Sequence, residues 1–153
     1  MPPRPPAASG FTLIELLVVL TIMGLLAALV PLALSAGRAR IALGTTAAEI
    51  AAELRTARLG AMESGHNTIF IANPASGRFG LAGRKLRRLP RDVSMRLLTI
   101  AGQRLGPDAG FIRFFPDGST SGGAIRLRRG RAWRVLRIDW FTGRVSIRAG
   151  ASP

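Results

Sequence analysis

The sequence predicts an α+β protein in which one long N-terminal helix, transmembrane in its first half, packs on a C-terminal antiparallel β-rich domain. Three observations predict it. An apolar run fills residues 11–34; a stripe of apolar side chains at spacings of three and four then reaches residue 61; beyond Gly65 the period changes to two. Four segments follow: a leader over 1–10, a transmembrane and assembly helix over 11–35, its amphipathic continuation over 36–65, and a β-rich globular domain over 66–153. The last segment is near the lower size limit for a self-sufficient core.

The leader, MPPRPPAASG, is Pro-rich, carries one Arg and does not begin a helix. From Phe11 to Leu34 the apolar run is long enough to cross a bilayer core at ~1.5 Å per residue. A secretory signal peptide has a shorter apolar core followed by a small-x-small cleavage site, so this segment is expected to be retained. Pro31 lies inside the run and is expected to kink the helix rather than end it. Leu43, Ala47, Ile50, Leu54, Ala57 and Ala61 then form one apolar stripe, with Glu49, Glu53, Arg55 and Arg58 mostly off it. The small residues in that stripe suit close packing against a sheet. Ser64 is the expected last residue and Gly65 the stop.

Strands are expected at 67–72, 78–82, 92–100, 111–115, 124–128, 132–140 and 144–148, separated by turn signals such as NPASG, GPDAG, PDGSTSGG and FTGR. In FPDGS, Pro116 suits the second position of a type I turn and Gly118 the fourth.

Composition narrows the function classes. The formal charge is +14, from 22 Lys plus Arg against 8 Asp plus Glu, and Lys85 is the only lysine. Two readings of that excess stand: an anionic partner, or an Arg-, Ala-, Gly- and Pro-rich coding bias. With no cysteine, disulfides, zinc–thiolate sites and thiol nucleophiles are excluded. A single histidine, His66, follows the helix stop and reads as a turn or surface residue. No nucleophile elbow, phosphate loop or metal-ligand spacing occurs, so no catalytic set, metal, cofactor or small-molecule substrate is expected. An anchored enzyme is therefore the weakest class.

The stretch GFTLIELLVVLTIMGLLAALVP, residues 10–31, resembles the N-terminal signature of type IV pilins and type II secretion pseudopilins. That resemblance implies cleavage by a prepilin peptidase between Gly10 and Phe11 and N-methylation of Phe11. It also makes Glu15 the fifth residue of the mature chain and a subunit-assembly residue, drawn to the N-terminal amine of a neighbouring subunit. The physical case is direct: a carboxylate in an apolar span costs about 3 kcal/mol or more, and pairing with an amine in low dielectric offsets part of it. Arg4 against Arg38 and Arg40 gives a positive-inside count that opposes this topology. The resemblance nonetheless implies a cytoplasmic leader, an inner-membrane anchor and a periplasmic β domain. Its partners would be other pseudopilins, the prepilin peptidase and membrane lipid.

FFPDGSTSGGAIRL and RIDWFTGRVSI, within 111–148, are similar to the C-terminal part of the GspH/FimT family of minor pseudopilins and minor pilins. That resemblance implies a domain of two packed sheets and a role in a type II secretion pseudopilus. The alternative is a FimT-like minor pilin that binds DNA in natural transformation. For that alternative, Arg126, Arg128, Arg137, Arg144 and Arg148 are the candidate anion-binding residues, set opposite the apolar face by period-two alternation. Trp133 and Trp140 read as sheet-packing residues, and the basic cluster GRKLRRLPR at 83–91 as a solvated loop.

Overall fold

The computed structural model describes residues 11–99 and 108–151, without the side chains of 28–36, 38, 39 and 151. The expected leader and Gly10 therefore lie outside the described residues, as does the end of the strand expected over 92–100. The chain divides into two units, Met1–Gly37 and Arg38–Pro153. Helix α1, Leu13–Ser64, contributes to both.

In the first unit α1 opens at a Thr-x-x-Glu capping box. The Thr12 hydroxyl accepts the backbone N–H of Glu15 at 3.3 Å, and the Thr12 carbonyl accepts that of Leu16 at 3.2 Å. Every described side chain from Phe11 to Ala27 is exposed. Among the described residues no helix is long and apolar enough to cross a membrane. The helical assignment runs through Pro31.

In the second unit the helix buries the predicted stripe. Leu43, Ala47, Ile50, Leu54, Ala57 and Ala61 are all fully buried, joined by Ala51 and Thr46. Four alanines on that face let the backbone approach the strands closely. Thr46 satisfies its hydroxyl within the helix by donating to the Ala42 carbonyl at 3.0 Å. The helix ends at Ser64, with Gly65 in the left-handed region at φ 68° and its N–H on the Ala61 carbonyl.

Eight strands follow: β1 Thr68–Asn73, β2 Arg78–Leu81, β3 Arg87–Arg88, β4 Ser94–Leu98, β5 Gly110–Phe114, β6 Gly123–Arg129, β7 Ala132–Ile138 and β8 Val145–Ala151. They form two four-stranded antiparallel sheets, ordered β3-β2-β1-β5 and β4-β6-β7-β8. The α+β class and both sheets agree with expectation. Phe70, Phe79, Ile112 and Phe114 from the first sheet and Ile125, Leu127 and Leu136 from the second share one core with the α1 stripe.

One expectation needs correction. The cluster at 83–91 is not simply a solvated loop, because it holds β3, which pairs with β2 through Arg78↔Arg88 and Phe79↔Arg87. Arg87 bonds Glu49 at 3.0 Å and lies 3.7 Å from Glu53, both on α1, while Leu89 is buried. A two-residue strand held by partners so distant in sequence leaves no periodic signal. The expected turn is present: the Phe115 carbonyl accepts the Gly118 N–H at 2.9 Å.

Candidate functional site

Glu15 occupies the third helical position of α1, in the first turn, with its side chain exposed. Two local effects favour a carboxylate there. The unpaired N–H groups and partial positive charge of the helix start attract it, and the position is the acidic member of the capping box. Around it Leu13, Ile14, Leu16 and Leu17 are exposed, so the carboxylate stands in an uncovered apolar surface. Phe11, at the entry to the helix, is 78% exposed.

The second region is the outer face of the β4-β6-β7-β8 sheet. Its register builds rows of side chains. Arg96, Arg126, Val135 and Arg148 stand side by side across four strands. The next row is Ser94, Arg128, Trp133 and Gly150, and on the other flank Leu98, Ala124, Arg137 and Ser146 align. Arg126, Arg128, Arg137 and Arg148 thus share one exposed face, as alternation predicts. Arg96 joins them and was not anticipated, because its strand had not been assigned to this sheet. Arg144 does not join: it precedes β8 and lines a groove with Arg55 and Arg58 of α1.

Of the two tryptophans, Trp133 packs on the sheet as expected and only Trp140 departs from expectation. Trp133 is half-buried on the basic face, where its ring lies over Gly150 so closely that a side chain there would collide with it. Trp140 is 66% exposed. It sits in the β7–β8 turn, whose shape comes from Asp139. One Asp139 oxygen accepts the N–H groups of Phe141 and Thr142 at 3.2 and 2.8 Å and the Thr142 hydroxyl at 2.8 Å. The Thr142 amide, then its hydroxyl, holds the Asp139 carboxyl below the usual carboxylate range.

Arg58 ties this turn to the helix and to the β5–β6 loop. Its Nε donates to the Gly118 carbonyl at 2.9 Å. Gly143, at φ 63°, packs against that same carbonyl and against Arg58, leaving no room for a Cβ. The Thr120 N–H donates to the Trp140 carbonyl at 2.8 Å, closing the junction. His66 is exposed in the turn after α1, its Nδ1 2.7 Å from the Ser64 carbonyl. Among the described residues no group of three metal-ligating side chains converges.

Comparison with known proteins assigns the fold to a family. Residues 6–31 match the prokaryotic N-terminal methylation motif, a stretch that includes Gly10, Phe11 and Glu15. Residues 46–143 match the type II transport protein GspH. The chain belongs to the GspH family. Type II secretion system protein H of Xanthomonas campestris pv. campestris is 32% identical over 137 residues, covering 89% of this chain and 80% of that protein. The minor pseudopilin EpsH from the type 2 secretion system of Vibrio cholerae has the same fold, with a TM-score of 0.50 at 10% identity over 71% of this chain and 96% of that one. The GspH match takes in the last third of α1, the first sheet, strands β4, β6 and β7 of the second and the Asp139 turn, and stops at Gly143 before β8 begins.

Proposed function

We propose that the chain is a minor pseudopilin that works by assembly into a type II secretion pseudopilus rather than by catalysis. One observation carries the reading: among the described side chains of the first turns of α1, residues 13–27, all are exposed and nearly all apolar, interrupted by one carboxylate, Glu15, at the start. Such a surface demands a bilayer, partner helices or both. Cleavage after Gly10 supplies an amine at Phe11, which is then methylated, and Glu15 pairs with the amine of a neighbouring pseudopilin as the apolar helix packs beside it. The anchor lies in the inner membrane and the two-sheet domain in the periplasm. GspH membership and the methylation motif support this reading.

The test is expression beside a prepilin peptidase and the other pseudopilins, with intact-mass analysis of the chain recovered from sheared filaments. The expected product begins at a methylated Phe11. An unprocessed chain confined to the membrane fraction overturns the proposal.

A second reading, a minor pilin that holds DNA, draws support from the five-arginine face of Arg96, Arg126, Arg128, Arg137 and Arg148 beside Trp133. Salt-sensitive DNA retention by the full chain, lost in Arg126→Ala/Arg128→Ala/Arg137→Ala, would favour it.

A further inference from the structure

We propose that the junction of α1 with the β7–β8 turn is a binding site for an acidic, apolar-containing peptide segment of a partner protein. The inference goes beyond the pseudopilin reading and stands on the groove itself. Arg55 and Arg58 come from one face of α1 and Arg144 from the turn, and they line an open groove of about 770 Å³ whose apolar lining includes Leu59 and Val145. Among the described residues none of the three guanidiniums forms an ion pair. Neither nearby aspartate forms an ion pair with them. Asp139 is occupied by its own turn and Asp117 by the Ser119 amide and hydroxyl at 2.9 and 2.6 Å.

Beyond the turn a second groove of about 740 Å³ runs past Arg58, Phe115, Thr120 and the aromatic pair Trp140 and Phe141. The pair is edge-to-face at 5.6 Å and is 66% and 71% exposed. Two large aromatic rings held outward by a hydrogen-bonded turn are pre-organised, so little conformational entropy is lost when they are covered. The turn is therefore a fixed aromatic ridge between two grooves, and one of those grooves is lined by three arginines without an ion-pair partner among the described residues.

The complementary ligand has carboxylates for the fork-shaped guanidiniums and apolar side chains for the ridge and the Leu59–Val145 lining. Concavity selects a chain segment over a membrane surface, because a flat bilayer cannot enter the grooves. The apolar lining and the edge-to-face ring pair select a peptide over a nucleic acid, which needs open parallel faces for stacking.

The experiment uses the full chain in detergent micelles and a fluorescein-labelled peptide alternating Glu with Leu and Phe. Binding is read by anisotropy and by the emission of Trp140 in a Trp133→Phe background. Saturable binding that weakens about tenfold or more in Arg55→Glu/Arg144→Glu and in Trp140→Ala is expected. Arg126→Ala/Arg128→Ala, on the sheet face, should leave it unchanged. Arg58 is spared because it also holds the Gly118 carbonyl. Equal binding of a Lys-for-Glu peptide, or no loss in the groove variants, overturns the site. Equal competition by a single-stranded oligonucleotide or by phosphatidylglycerol vesicles overturns the peptide assignment.

Discussion

Glu15 serves two physical roles that substitution can separate. Within its own chain it holds the acidic position of the Thr12-x-x-Glu15 helix start, where its backbone N–H donates to the Thr12 hydroxyl; between chains it would neutralise an amine. Glutamine retains the capping geometry, since Gln is as competent as Glu at that position, yet carries no charge. If charge pairing drives assembly, Glu15→Gln and Glu15→Ala should both lose incorporation into sheared filaments while processing at Phe11 continues. If capping is what matters, Glu15→Gln assembles normally and the pairing argument fails. Asp139 poses a second question at this scale. Its folded pKa is depressed by the Thr142 amide and hydroxyl, so the ionised form stabilises the turn above the unfolded value of about 3.9. That contribution is lost only as pH falls through the lower folded value. Trp140 emission in a Trp133→Phe background should therefore stay flat from neutrality to about pH 4 and change below it. Asp139→Asn should shrink this acid limb and Asp117→Asn should keep most of it; an unchanged limb in Asp139→Asn refutes the assignment.

Helix α1 joins the core through a stripe whose members can be changed singly. Leu54 is fully buried against the sheets, so Leu54→Ala should lower unfolding stability by about 3 kcal/mol, whereas Glu53→Ala, on the partly exposed flank, should change it by about 0.5 kcal/mol or less. Equal losses would mean that the helix is held by its charged flank instead. This stripe was readable in sequence because helical period and burial coincide at all six positions from Leu43 to Ala61. Seven of the strands were readable for the same reason, each being several residues of alternation between turn signals. β3 was not, being two arginines fixed by Glu49 and by the β2 ladder. Nor was the partition of strands between sheets, since pattern gives a strand its faces but not its neighbours. Arg96 was missed on that account, and the groove that Arg144 lines was not readable because it needs Arg55 and Arg58 from α1. Trp140 was assigned to packing on hydrophobicity alone, while its exposure follows from the Asp139 hydrogen bonds, which are set by geometry rather than composition.

At the scale of the whole molecule part of the +14 charge is placed where it opposes itself. Arg96 and Arg126 are directly opposed on adjacent strands, with Arg128 and Arg148 close by on the same exposed face. Like charges so placed destabilise a sheet by a few tenths of a kcal/mol per pair, and net charge of one sign adds self-repulsion. Asp92 pairs with Arg129, the neighbour of Arg128 in β6, rather than with any of these four. The repulsion should be visible as a stability gain when charge is removed. Arg96→Gln/Arg126→Gln, which keeps most of the side-chain length, should raise unfolding stability by about 0.5 kcal/mol at low ionic strength. The gain should vanish near 1 M salt, where the screening length falls to about 3 Å. A gain that persists at high salt would assign the effect to packing beside Val135 and Trp133 instead of to charge. The same variant separates the two origins of the arginine excess. A face shaped only by coding bias yields a more stable protein with unchanged secretion of a reporter, whereas a face that holds an anionic partner yields a more stable protein that has lost salt-sensitive retention of it.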